Sequence, residues 1–190
     1  TVAWVKEWAE SNKDCNLLIL IHGGEPLLVP IDILEQFCNK LSGVGNIRYG
    51  LVSNLTTKLT NKHIQWIKNR SESKVGTSWD LNIRFKDNRM EERWRSNVAL
   101  LRSEGVLIKV NVSVTSSLIK LPIDQTLDIF DSFGVDSIEL ERITDSGNIE
   151  VNKWLKVSNE VQDQWFYDLY KRYKERGGTP INVFDILERM

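Results

Sequence analysis

The sequence predicts an α/β chain built from parallel strands joined by helices, with its sheet curved into all or part of a β/α barrel. Three observations carry this reading. Apolar, β-branched runs recur with their starts 28 to 32 residues apart, at Leu17–Ile21, Ile47–Val52, Val75–Trp79, Leu107–Val114 and Ser137–Leu140. The segments between them have helical periodicity. The later runs carry one apolar and one polar face, where an open sheet covered by helices on both sides would be apolar on both.

The helices follow in order. Thr1–Asn12 is amphipathic. Leu34, Phe37, Cys38 and Leu41 sit at i, i+3, i+4 and i+7, and Gly43 follows them. Met90, Trp94, Val98 and Leu101 form a second stripe before Gly105, and Ile123, Leu127 and Phe130 a third before Gly134. A glycine just past a helix end supplies the left-handed residue that closes it. A long helix runs from about Ser158 to Arg176. Strands separated by single helices need right-handed crossovers and therefore a parallel sheet.

The faces choose between architectures. In the fourth run Ile108, Val110, Val112 and Val114 alternate with Lys109, Asn111, Ser113 and Thr115. In the third, Val75, Thr77 and Trp79 oppose Gly76, Ser78 and Asp80; in the fifth, Ile138 and Leu140 oppose Ser137, Glu139 and Glu141. A barrel accounts for this, with the apolar face on the outer helices and the polar face around a ligand. The competing account, an antiparallel sheet with one face in water, does not explain the helical connections. In such folds ligands gather at the C-terminal ends of the strands. That rule selects His22–Pro26, Ser53–Asn54, Ser78–Asp80, Ser113–Thr115 and Glu141–Arg142.

Composition bounds the function. The chain has 190 residues, 41% hydrophobic and 27% charged, with a net charge of −1. That balance argues against a nucleic-acid or anionic-membrane surface. The longest apolar run, Leu17–Ile21, is far short of a membrane span, and the amphipathic start does not read as a secretory leader. Both ends read as cut from something longer. Cys15 and Cys38 have no short metal or redox spacing; Cys38 lies on a helix's apolar face as a buried thiol, and a reducing, cytoplasmic location follows.

The run from Ile21 to Leu28, I-H-G-G-E-P-L-L, resembles the GGEP motif that ends the second barrel strand of radical S-adenosylmethionine enzymes. Two glycines let backbone turn sharply and approach a ligand, and Pro26 sets the exit. Leu51-Val-Ser-Asn54 resembles the family's third strand end, with Leu55 where glycine is usual. Val75–Asp80 resembles the fourth strand, Leu107–Thr115 the fifth, and Ile138 to Gly147 the sixth with its small-residue turn. The likeness runs from Thr1 to about Phe184 and is sharp only at GGEP.

The resemblance implies a partial (β/α)6 barrel lacking its first strand and cluster loop. Residues 1–157 would be that barrel, and 158–190 a helix opening a linker or SPASM-like extension. It implies that Gly23, Gly24 and Glu25, with Pro26 shaping the turn, meet the methionyl amino group of S-adenosylmethionine, largely through backbone. Ser53 and Asn54 would lie beside the methionine part and the cluster. Ser78 and Asp80 would face the ribose or substrate, Ser113 and Thr115 would line the cavity, and Glu141 to Ile143 would approach the adenine. The expected cofactors are S-adenosylmethionine and a [4Fe–4S] cluster. The CxxxCxxC loop that supplies its thiolates does not occur in these residues, so as given the polypeptide would not cleave S-adenosylmethionine. The expected activity is formation of a 5′-deoxyadenosyl radical that modifies a peptide or protein. A small electron donor such as a flavodoxin or ferredoxin would be a partner.

Two other functions compete. A non-catalytic relative would keep the barrel as a binding scaffold. An anion site at the His22–Gly24 loop is disfavoured, because no lysine follows the glycines and Glu25 repels phosphate. His22 and His63 make no metal centre. Trp4, Trp8, Trp94 and Trp165 read as packing residues, the mixed-charge stretch Lys86–Arg95 as a solvated helix start, and Arg84 and Arg89 as residues within reach of the barrel mouth.

Overall fold

Each of the five apolar runs is a strand in the structure, a computed structural model that describes residues 2–44, 46–143 and 153–187. They are β1 (Asn16–Ile21), β2 (Asn46–Leu51), β3 (Lys74–Trp79), β4 (Leu107–Val114) and β5 (Ser137–Arg142). The helices are α1 (Val2–Ser11), α2 (Ile31–Lys40), α3 (Asn61–Arg70), α4 (Asn88–Ser103), α5 (Ser116–Ile119), α6 (Ile123–Ser132), α7 (Asn159–Arg176) and α8 (Asn182–Leu187).

Every pairing among the described strands is parallel. β1 pairs with β2 from Asn16↔Asn46 to Ile21↔Leu51, β3 with β4 from Lys74↔Leu107 to Trp79↔Val112, and β4 with β5 from Lys109↔Ser137 to Val114↔Arg142. The two ladders meet through a single parallel bridge, Val52↔Gly76, where the Ser53 amide donates to the Gly76 carbonyl at 3.0 Å. Gly76 suits this approach: a Cβ there would stand 3.3 Å from a Val52 methyl. Beyond β5, Ile138 bridges to Ile181 and donates its amide to the Pro180 carbonyl at 2.8 Å. Among the described residues no strand joins β5 back to β1. The barrel is partial and open. The turn running to Gly147 lies outside the described residues.

Helices cover one face only. Ile108, Val110, Val112 and Val114 are buried there against Trp94, Val98 and Leu101 of α4 and Leu127 and Phe130 of α6. Trp94 is fully buried, donates its indole N–H to the Thr77 hydroxyl at 3.0 Å and meets Phe133 edge-on at 5.3 Å. The opposite face borders an open cavity of about 540 Å³ lined by Leu18, Leu20, Gly50, Gly76, Lys109, Asn111 and Glu139, along the N-terminal halves of β3, β4 and β5 and away from the candidate residues at the strand ends. Of the charged residues that line it, Lys109 pairs with Glu139 across it, while Lys74 pairs with Glu72 and Asp136 with Arg102 outside it; Asn111 Nδ2 donates to Glu141 Oε1 at 2.8 Å. Alternation in these strands therefore records helices on one side and a cavity on the other.

Two sequence expectations change. Trp4 is 65% exposed; α1 buries Val5 and Ala9 instead. Helical spacing places a residue on a face without saying what covers that face. Thr115 is buried, and its hydroxyl accepts from the Leu118 amide at 3.2 Å. It caps α5, because a threonine in extended backbone before a helix answers an orphan amide. Cys38 is buried, with burial raising the thiol pKa, and Cys15 is exposed. No described helix is long and apolar enough to cross a membrane.

Ion pairs tie the outer helices together. At the end of α3, Arg70 Nε donates to Glu35 Oε2 of α2 at 3.1 Å, and its Nη2 reaches Asn39 Oδ1 at 2.7 Å. The hydrogen bond to Arg70 holds the Glu35 pKa below its ordinary value. A depressed folded pKa contributes stability above the unfolded glutamate range, lost as pH falls through the lowered value. The pair is part-exposed, so solvent screening limits it to about 0.5 kcal/mol. Glu35→Gln is therefore less stable than the parent at neutral pH, and urea unfolding at progressively lower pH shows the two curves converging. A gap that widens in acid contradicts this assignment.

Candidate functional site

The C-terminal ends of β1 and β2 meet through one carboxylate. After β1 the chain passes His22, Gly23 and Gly24, all exposed, with Gly23 at φ +100° and Gly24 at φ +56°. Those angles suit glycine alone at no steric cost. A Cβ on either glycine would meet nothing within 4 Å, so the loop backbone faces open space. Glu25 then begins a single 3₁₀ turn, Pro26–Leu28, whose Pro26 and Leu27 are buried.

Glu25 is half-buried, and three groups hold its side chain. Oε1 accepts from the Leu27 amide at 3.0 Å and the Ser53 hydroxyl at 2.7 Å; Oε2 accepts from the Asn54 amide at 2.7 Å. A carboxylate receiving such donors makes charge-assisted bonds stronger than neutral ones. The Ser53 hydroxyl in turn accepts from the Leu55 amide at 3.0 Å. Asn54 Oδ1 accepts from the Thr56 amide at 2.9 Å and hydroxyl at 2.8 Å. Glu25 thus ties the glycine loop to the loop after β2. With its lone pairs so engaged, any ligand at Gly23 and Gly24 meets backbone first.

A histidine braces the same turn. His63 Nε2 lies 3.2 Å from the Leu27 carbonyl, and Nδ1 lies 3.1 Å from the Thr60 amide, which donates to it. Acceptance at Nδ1 assigns the proton to Nε2, which donates to Leu27. The sequence places His63 in a helix with Ile64 and Trp66 as a surface or packing residue; its role as a strut between α3 and the Glu25 turn comes only with the fold.

The other expected residues fall along the strand ends and inner face. Asp80 Oδ1 accepts from the Ser113 amide at 3.0 Å, and Oδ2 pairs with Arg84 Nε at 3.1 Å, which clamps β3 to β4. Ser78 sits on the inner face opposite Asn111, and Ser113 opposite Glu141. Arg89 is exposed. The structure brings together Glu25, Ser53 and Asn54 as one group and Asp80 with Ser113 as another. No described bond joins the two groups.

The fit to the implied cofactors divides. The open space over Gly23 and Gly24 suits the methionyl end of S-adenosylmethionine held by backbone. The cluster does not fit these residues: they offer one exposed and one buried cysteine, and no group of three or more His, Cys, Asp or Glu is placed to hold a metal among the described residues.

No protein-family model and no curated protein sequence matches the chain. Solved structures do. The protein anSMEcpe with bound AdoMet matches with a TM-score of 0.76 at 16% identity, over 97% of this chain and 54% of that one. Its complex with AdoMet and the Kp18Cys peptide gives 0.74 at 15%, over 97% and 54%. SuiB of Streptococcus suis bound to S-adenosylmethionine gives 0.58 at 14%, over 95% and 42%. The chain spans about half the length of the structures it matches. Parallel strands, outer helices and an open inner face together give this chain the partial-barrel fold that it shares with anSMEcpe and SuiB.

Proposed function

We propose that the chain is the S-adenosylmethionine-binding core of a radical enzyme that modifies a peptide or protein. The observation that carries this is the exposed Gly23–Gly24 loop, tied through Glu25 to Ser53 and Asn54, at the strand ends of a fold that holds AdoMet in anSMEcpe and S-adenosylmethionine in SuiB. Crystal complexes of both neighbours with peptides support a peptide substrate here.

When bound, S-adenosylmethionine would supply hydrogen-abstracting chemistry: one-electron reduction would break its S–C5′ bond to give methionine and a 5′-deoxyadenosyl radical. This chain's residues bind and orient. Backbone at Gly23 and Gly24 receives the methionyl amino group, and Glu25 and Pro26 hold that backbone in place. Ser53 and Asn54 flank the methionine part, Ser78 and Asp80 the ribose side, Ser113 the substrate cavity, and Glu141 the adenine side. A [4Fe–4S] cluster, for which the described residues offer no ligand set, and a flavodoxin- or ferredoxin-like partner would be needed to supply the electron. Residues 158–190 would open a SPASM-like extension.

The test is anaerobic iron–sulfur reconstitution of the full-length gene product, followed by assays for S-adenosylmethionine binding and 5′-deoxyadenosine release. Product is expected. Binding without product overturns the radical-enzyme reading in favour of a non-catalytic scaffold. Gly24→Val forces a β-branched residue to φ +56° and fills the open space. Left-handed backbone disfavours such a residue by roughly 1–2 kcal/mol, so the loop shifts from this geometry or places the valine where the ligand would sit, and either outcome should lower affinity measurably. Unchanged affinity in equilibrium dialysis removes this loop from the site.

A further inference from the structure

Leu55 is a non-glycine residue in left-handed backbone, at φ +51°, and its side chain is completely buried. Left-handed geometry is costly for a residue with a branched, bulky side chain and persists only where the surroundings hold it. The peptide units around Leu55 show what holds them. Its amide donates to the Ser53 hydroxyl at 3.0 Å. Its carbonyl accepts from Asn97 Nδ2 at 2.7 Å, and the Thr57 carbonyl accepts from the same nitrogen at 2.8 Å. Asn97 lies on α4, with 7% of its surface exposed, on the stripe otherwise formed by Trp94, Val98 and Leu101.

We infer that Asn97 is a positioning residue for the cofactor loop: its two amide hydrogens hold the left-handed turn at Leu55, and that turn aims Ser53 and the Asn54 amide at Glu25. A buried asparagine in an apolar stripe costs stability unless its polar atoms are answered. Here one amide nitrogen satisfies two carbonyls of a single loop. Leucine supplies core packing at a position whose backbone glycine would adopt freely, and Asn97 supplies the constraint that this choice requires. The geometry links α4, on the outer layer, to the glycine loop through Leu55, Ser53 and Glu25. As a statement about cofactor affinity the inference rests on the function proposed above; as a statement about the loop it stands on geometry alone.

The test uses the full-length protein, hydrogen exchange read by mass spectrometry, and S-adenosylmethionine affinity. Asn97→Asp keeps the shape, removes both donors and sets a carboxylate against two carbonyls. Amide exchange across residues 53–57 should rise roughly tenfold or more, the scale of a buried hydrogen bond lost, while exchange in β4 stays unchanged. S-adenosylmethionine binding should weaken by about the same factor. In the Asn97→Asp background, Leu55→Gly relieves the backbone and should recover affinity even as it lowers the melting temperature by emptying a core site. A residue that merely supports the core would show affinity falling with stability in both variants. Unchanged exchange at 53–57, or an equal rise in β4, overturns the inference. A parent protein that binds no S-adenosylmethionine sinks the proposed function instead, and the exchange measurement still decides the role of Asn97.

Discussion

Glu25→Ala is expected to release the glycine loop from the loop after β2 and to lose about 3 kcal/mol of stability. The estimate follows from the partners. Three donors converge on the carboxylate at 2.7 to 3.0 Å, and hydrogen bonds to a charged group contribute roughly 1.5–3 kcal/mol each when buried. Glu25 is only half-buried, so their sum is scaled down, and water re-solvates part of what is released. Two of the donors are backbone amides, which the variant leaves without their acceptor. Urea unfolding reads the loss as a lower midpoint at unchanged slope. Glu25→Gln keeps one acceptor oxygen but turns an N–H toward a donor, so it should fall between parent and alanine. A Glu25→Ala protein with parental stability and parental exchange at residues 53–57 would show that the tie does not hold the loops together.

The largest stability effect belongs to Trp94. It is fully buried, in ring contact with Phe85 at 5.9 Å and Phe133 at 5.3 Å, and its N–H is committed to Thr77. Trp94→Ala should cost about 3–5 kcal/mol through lost burial and the cavity left behind, a large share of what keeps a domain of this size folded. Trp94→Phe retains much of the packing but leaves the buried Thr77 hydroxyl unpaired, for about 1–3 kcal/mol. Trp4→Ala, at a 65% exposed position, should stay within about 0.5 kcal/mol of the parent. Equal effects at Trp4 and Trp94 in thermal unfolding would contradict the division of the two helices into covered and uncovered faces.

How much of the site was legible depends on how far apart its partners stand. Gly23, Gly24 and Pro26 could be read as a turn because φ preferences belong to single residues. Ser53 and Asn54 could be named as strand-end residues because a parallel β/α arrangement fixes where strands end. That Glu25 would accept from both could not be read, since those bonds span 28 and 29 residues and depend on the β1–β2 register. Asn97 did leave a signal: a polar residue between Trp94, Val98 and Leu101 interrupts an apolar stripe. Its targets, 40 and 42 residues away, did not. His63 shows the same limit. Its helix was legible; the Leu27 carbonyl that it braces, 36 residues earlier, was not.

By itself the sequence determined the order of strands and helices, the one-sided polarity of β3, β4 and β5, and the glycine turn after β1. Each of these is written in neighbouring residues, through alternation, helical spacing and backbone freedom. Only the tertiary structure decided that the sheet stays open among the described residues, that Lys109 and Glu139 pair across its inner face, that Trp4 is left uncovered, and that Thr115 caps a helix rather than lining a site. It also decided that a carboxylate and a buried amide hold the loops at the strand ends. Those outcomes depend on register and on which helix covers which face, and both are set by packing between residues far apart in the chain.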